Sequence, residues 1–317
     1  MKVTVIIPCY RSEKTLVPVI HEIRQELQKR PENQYQIILV NDCSPDGTFG
    51  VIRQLAEEDP CIIGLDLARN FGQSNAKMAA VPYVTGDVAV CMDDDGQHPA
   101  DQIYRLVDKI QEGYDLVYAH FAKQKQNCFR RLASRLNTWL QEKTGAKKKG
   151  IYNSPFLAWS SFAIDVLKNY QSPFVSAGSY LMRTTNRVAN IEVEQRARMS
   201  GHSGYTLKKL LNLWLTEFTN FSLVPLRLSS MIGSLCAACG AVYGLFLIVR
   251  KLLFPGILAG YTSVMAVVLL IGGIILLMLG LLGEYVGKLY MIINNLPQYV
   301  VRTVVGLDKK AEKSDGC

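Results

Sequence analysis

Three consecutive carboxylates, Asp93, Asp94 and Asp95, end an apolar run in the segment VAVCMDDDGQHP at residues 88–99. The pattern reads as a β-strand emptying onto a loop. Asp93 and Asp95 are two apart, so at a strand end they face one side and offer hard oxygen ligands. Mg²⁺ or Mn²⁺ held in this way keeps coordination positions for the oxygens of a substrate diphosphate. The competing reading is a solvated acidic turn, the usual fate of short Asp runs. What surrounds the run decides between the two.

Short apolar runs alternate with amphipathic segments along the first 120 residues. Strands are expected at 3–7, 35–40, 62–67, 88–92 and 116–119, with helices near 16–28, 50–58, 75–84 and 100–111. Alternation of this kind, with strands apolar throughout, predicts an α/β domain on a mainly parallel sheet, whose ligands sit at the carboxyl ends of the strands. Three of these strands end in polar, turn-forming loops: PCYRSE at 8–13, NDCSPDGT at 41–48, and 93–99. A fourth loop, RNFGQSNAK at 69–77, brings Arg69 and Lys77 to the same rim. Each loop alone is ordinary turn chemistry. Together they gather carboxylates, a tyrosine ring and cations at one edge.

The 317-residue chain is 49% hydrophobic with net charge +8, too apolar for an ordinary soluble enzyme, and the apolar residues are concentrated late. Residues 228–249 hold 22 positions without a charge and residues 252–283 hold 32. At ~1.5 Å per residue either is long enough for a hydrocarbon core of ~30 Å. Two transmembrane helices are therefore expected at about 229–250 and 260–283. The amino-terminal apolar run is too short for a signal peptide, which places residues 1–204 in the cytoplasm as the catalytic domain. With two spans the tail, 285–317, returns to that side, and Arg227, Lys288, Arg302, Lys309, Lys310 and Lys313 flank the helices there. Residues 205–227 mix leucines, Trp214 and lysines, as an amphipathic helix at the membrane interface does, the alternative being a helix packed on the globular domain.

A basic belt from Lys123 to Lys149 suits an anionic lipid or a lipid phosphate, or else forms a solvated helix face. Nothing resembles a nucleic-acid reading motif. Eight cysteines show no spacing of a disulfide framework or zinc site. Small residues recur in both apolar stretches, from Gly233 to Gly240 and from Gly272 to Gly283, and predict close helix contacts and a homo-oligomer.

The ordered set IPCYRSE (7–13), VND (40–42), RNFGQ (69–73), MDDDGQHP (92–99), FRR (129–131), Arg198 with GHSGY (201–205), PLR (225–227), LGEY (282–285) and PQY (297–299) resembles the polyprenyl-phosphate glycosyltransferases of glycosyltransferase family 2. That group includes dolichyl-phosphate mannose synthase and bacterial undecaprenyl-phosphate sugar transferases. The resemblance covers almost the whole chain and implies a GT-A type, Rossmann-like nucleotide-binding domain. It further implies transfer of a sugar, with inversion, from a nucleoside-diphosphate sugar to a polyprenyl phosphate at the inner membrane. UDP is the expected nucleotide and GDP the runner-up, and a tetramer is the implied assembly. By position, Pro8, Tyr10, Glu13 and Asp42 hold base and ribose, with Asp94 and Lys77 also on the nucleotide. Asp93 and Asp95 hold the metal, with Gln97 beside the phosphates. Arg130, Arg131, Ser134, Arg198 and Ser203 face the diphosphate and the acceptor phosphate.

The chemistry suits those groups. Charge developing on the leaving diphosphate is stabilised by a cation and by arginines. The acceptor phosphate is already an anion, its second pKa being about 6, so no strong base is required. That matters, because the chain has Ile151 and Leu157 where many relatives carry an acid and an arginine, and Gly204 where a lysine is common. A membrane-anchored nucleotide-sugar-binding scaffold without turnover, and transfer to another lipid or a glycan, are the rival readings. QRARM at 195–199 echoes the Q-x-x-R-W motif of processive synthases with Met in place of Trp, and two spans are too few for a polymer channel.

Overall fold

The computed structural model describes residues 1–121, 148–170, 172–173, 177–194, 224–253 and 261–307. They form two units by internal contact, residues 1–204 with 297–317, and residues 205–296. In the first unit the order is β1 (Lys2–Cys9), α1 (Leu16–Leu27), β2 (Gln34–Asn41), α2 (Thr48–Glu58), β3 (Ile62–Leu67), α3 (Gln73–Ala80) and β4 (Val88–Cys91). There follow α4 (Ile103–Gln111), β5 (Leu116–Phe121), β6 (Leu157–Ser160), α5 (Ser161–Lys168), α6 (Ala177–Thr184) and β7 (Val188–Val193). The strand β8 (Val301–Val305) closes the unit.

The sheet order is β7-β5-β6-β4-β1-β2-β3-β8. The strands β1 to β4 are mutually parallel, whereas β6 runs against β4 and β5, and β8 against β3. The mainly parallel sheet expected from the apolar strands is present. It is buried on both faces because β1 and β2 are rich in Val and Ile on both sides. One face packs on α1, α2 and α4, the other on α3, α5 and α6. On α1 the buried residues Leu16, Val19, Ile20, Ile23 and Leu27 recur at helical spacing and form the stripe that meets the sheet. Each such side chain contributes about 1.5–3 kcal/mol by leaving water.

Three registers bring the candidate functional loops level. Cys9 pairs with Asn41 and Asn41 with Asp66, while Ile6 pairs with Cys91. The loops after β1, β2, β3 and β4 therefore leave the sheet along one rim.

The second unit contains α7 (Val224–Leu253) and α8 (Tyr261–Ile293). Pro225 lies in the first turn of α7, where its missing N–H costs nothing. Among the described residues one stretch is long and apolar enough to cross a membrane, Ile271–Ile293, and α7 holds a shorter apolar stretch, Gly233–Phe246. The helix α8 thus runs some ten residues past the expected end at 283. A charge ends an apolar stretch without ending a helix, and Glu284 pairs with Lys288 one turn on, 3.5 Å apart. The interface helix expected at 205–227 lies outside the described residues up to position 223. Cys9, Cys43, Cys91, Cys236 and Cys239 are free thiols, while Cys61 is disulfide-bonded, a pairing that cysteine spacing does not announce.

Candidate active site

The turn after β4 is built around Asp93. Its backbone N–H donates to His98 Nδ1 at 2.8 Å, and Gln97 N–H donates to Asp95 Oδ1 at 3.0 Å. Gly96 takes φ +74°, a left-handed conformation that lets the chain double back. His98 is buried, its ring stacked between Phe156 (centroids 5.0 Å apart) and Phe121 (5.6 Å). Burial holds its pKa below the ordinary value, with the charge of Asp93 opposing. A neutral ring that accepts at Nδ1 carries its proton on Nε2, which lies 3.8 Å from Asp93 Oδ2.

Asp93 Oδ1 accepts from Gln73 Nε2 and lies 3.8 Å from Lys77 Nζ. Asp94 turns the other way, accepting from Ser12 Oγ and, at 3.2 Å, from Tyr10 N–H. Burial raises its pKa to about 6, while the Ser12 and Tyr10 hydrogen bonds pull it down. Asp94 therefore ties the loop after β4 to the loop after β1.

That β1 loop reaches its neighbour through Arg11, at φ +59°, whose N–H donates to Ser44 Oγ at 3.1 Å, and through Ser12, whose N–H donates to Thr48 Oγ1 at 2.9 Å. Glu13 accepts from Gly47 N–H at 3.2 Å, and a Cβ at Gly47 would stand 2.8 Å from the Glu13 carboxylate, so a larger residue there would push this flexible side chain aside. Tyr10 is exposed, with the Arg11 guanidinium 5.5 Å from its ring centroid. Asp42 is buried, and its two oxygens accept from the N–H groups of Phe71 (2.7 Å) and Gly72 (2.8 Å). Burial raises its pKa, and those two hydrogen bonds oppose.

Of the residues singled out from sequence, Pro8, Tyr10, Glu13, Asp42, Lys77, Asp93, Asp94, Asp95 and Gln97 stand at or beside this rim. Arg130, Arg131, Ser134, Arg198 and Ser203 lie outside the described residues. Ser12, Gln73 and His98 belong to the quoted motifs but received no role there. Their contacts to Asp93 and Asp94 are tertiary, and only side-chain chemistry near the aspartates hinted at them. Ile151 is partly buried and packs on the core that contains Leu157, so the places of an acid and an arginine are filled by apolar groups.

The donor set fits a hard divalent cation. Asp93 and Asp95 present carboxylate oxygens at a strand's carboxyl end, and the Asp93 side chain keeps 20% of its surface exposed. Among the described residues no three His, Cys, Asp or Glu groups converge as a closed metal cage, so a cation here would draw its further ligands from substrate or water.

An eight-stranded mixed sheet with the loops after β1 to β4 along one rim is a GT-A-like α/β fold. The chain belongs to glycosyl transferase family 2, whose model matches residues 4–171, and it is a glycosyltransferase. A second model, the GtrB C-terminal hairpin, matches residues 224–289. The chain is 34% identical to the undecaprenyl-phosphate 4-deoxy-4-formamido-L-arabinose transferase of Proteus mirabilis strain HI4320, over 97% of this chain and 95% of that protein. Its identity to the protein of the same name from Serratia proteamaculans strain 568 is 36%, over 96% and 94%. Among solved structures, Mycobacterium tuberculosis glucosyl-3-phosphoglycerate synthase shares the fold, with TM-score 0.50 at 18% identity over 69% of this chain and 80% of that one. The same synthase has been solved with Mn²⁺, UDP and phosphoglyceric acid.

Proposed function

We propose that the chain transfers a sugar from a nucleoside-diphosphate sugar, UDP before GDP, to undecaprenyl phosphate, with inversion, and releases the nucleoside diphosphate. The observation that carries this reading is the extent of the similarity to the Proteus protein, which runs through the glycosyltransferase part and the helical hairpin alike. A relative sharing only the donor domain would say little about the acceptor. Asp93 and Asp95 would hold Mg²⁺ or Mn²⁺, which when bound neutralises charge on the departing diphosphate. Asp94, with Tyr10 and Ser12, fixes the loop that meets the nucleotide. Asp42 shapes the Phe71–Gly72 backbone beside it. Arg130, Arg131, Ser134, Arg198 and Ser203 serve the two phosphates in this scheme.

The membrane part of the proposal is two spans, α7 and α8, with the catalytic domain cytoplasmic at the inner membrane and the protomers associated in the bilayer. What supports it is connectivity. Strands β7 and β8 belong to one sheet, so the chain between them crosses any bilayer an even number of times. If α8 crosses, a second helix crosses with it.

The test is transfer of radiolabel from a panel of UDP-, GDP- and dTDP-sugars, UDP-4-deoxy-4-formamido-L-arabinose included, to undecaprenyl phosphate with Mn²⁺ or Mg²⁺. Label entering lipid with the wild type, and falling at least a hundredfold in Asp95→Ala, is the expected result. The scaffold reading is favoured by one observation, the apolar packing of Ile151 where an acid is usual. Metal-dependent nucleotide binding without any turnover would select it.

A further inference from the structure

Lys77 is a charged side chain in an otherwise uncharged helix whose neighbours Ala76, Met78, Ala79 and Ala80 are all buried. It is itself buried, and its ammonium donates to the Pro155 carbonyl at 2.9 Å. Among the described residues its ion-pair partner is Asp93, 3.8 Å away. Gln73 lies four residues earlier, on the same helix face, and donates to the same Asp93 oxygen. The helix α3 therefore aims a neutral donor and a cation, one turn apart, at a single oxygen of a proposed metal ligand. A buried ammonium is costly unless it is paired. A structural role would be met by the Pro155 carbonyl alone, or by an apolar residue like those on either side.

We propose that Lys77 is a positioning residue that stands in for the divalent cation at Asp93, so that the cation loads with the diphosphate and not ahead of it. This rests on the reading of Asp93 and Asp95 as metal ligands. Without a cation, the ammonium neutralises Asp93 and keeps it turned toward α3. A divalent cation arriving alone meets a like charge behind its ligand, and because the Lys77 side chain is only 9% exposed that repulsion is less screened than between surface charges. A diphosphate meets the opposite situation, because the ammonium attracts it. Lys77 should thus act with opposite signs on the two equilibria, which a purely structural lysine would not do.

The experiment measures Mn²⁺ binding to the full-length protein in detergent by electron paramagnetic resonance of free Mn²⁺, and UDP binding without metal by calorimetry. Wild type, Lys77→Met, Lys77→Arg and Asp95→Ala are compared. Lys77→Met, of similar length and apolar, is expected to bind Mn²⁺ about five- to tenfold more tightly and UDP several-fold more weakly, tenfold corresponding to ~1.4 kcal/mol. Lys77→Arg, which keeps the charge, is expected to bind both as the wild type does. Mn²⁺ binding unchanged or weakened in Lys77→Met, while Asp95→Ala abolishes it, would overturn the role of Lys77 and leave the metal site standing. Mn²⁺ binding indifferent to Asp95→Ala would overturn the metal reading and this inference with it.

Discussion

His98 shows how one side chain can hold the turn of a proposed metal site without being one of the proposed ligands. Its ring fills the space between Phe121 and Phe156, and its Nδ1 takes the Asp93 N–H that would otherwise be buried and unpaired. His98→Ala removes packing and acceptor together and is expected to cost about 3 kcal/mol, read as a lower denaturation midpoint. Asp42 gives a prediction in pH. Burial lifts its folded-state pKa above the ordinary 3.8, so the folded chain holds this proton more tightly than the unfolded one. Its favourable contribution is complete below about pH 4 and is lost as pH rises through the folded-state value. Asp42→Asn cannot titrate. Thermal unfolding at a series of pH values from 4 to 7 should therefore find the wild type losing ground to the variant as pH rises, and the opposite trend would refute the assignment. At this scale the aspartates were legible in the sequence, because three acids after an apolar run are conspicuous. The sequence placed His98 and Gln73 inside motifs without a role, since a histidine or glutamine reveals its partner only once the sheet and α3 have brought them together.

Among the elements, β1 to β5 were legible as apolar runs separated by amphipathic helices. The strand β6 was not, because four residues, Leu157 to Ser160, are too few to display a period. Nor was β8, whose pairing with β3 joins Leu67 to Val301 across most of the chain and leaves no local trace. Two glycines of positive φ separate two kinds of cost. At Gly72, φ +88° and ψ 156°, a backbone region essentially reserved for glycine, a Cβ meets nothing within 4 Å, so Gly72→Ala is expected to cost only the backbone strain of about 1–3 kcal/mol. At Gly306, φ +85°, a Cβ would stand 2.4 Å from the Ile62 carbonyl oxygen, and the strand end must shift. Gly306→Ala is expected to be the more destabilising of the pair and, by loosening β8, to weaken UDP binding as well. The link is Ala68, just after β3 and next to the loop at 69–77 on the proposed nucleotide rim, whose N–H donates to Val300 O at 2.9 Å and whose carbonyl accepts from Arg302 at 3.1 Å. Equal unfolding midpoints for the two variants would contradict this account.

For the whole molecule, the helical hairpin is an insertion within the order of a single sheet. Its expected consequence is that the residues before α7 and after α8 share one side of the membrane. A cysteine placed at Lys2 and one placed at Thr303 should react alike with an impermeant maleimide in sealed vesicles of known orientation; unlike reactivity would rule out an even number of crossings. The insertion also sets a schedule for biogenesis. Domains generally fold as they are synthesised, amino-terminal part first. Here the edge of β3 stays bare while the hundred or so residues between Val193 and Val301 are made, on the order of ten seconds at ordinary translation rates. An uncovered edge strand is a template for pairing with other chains, and this one is exposed while the nascent protein waits for its hairpin to be delivered to the bilayer. Delayed membrane insertion should therefore surface as aggregation of the glycosyltransferase domain, and β8, made only after the hairpin, is the strand that ends the hazard.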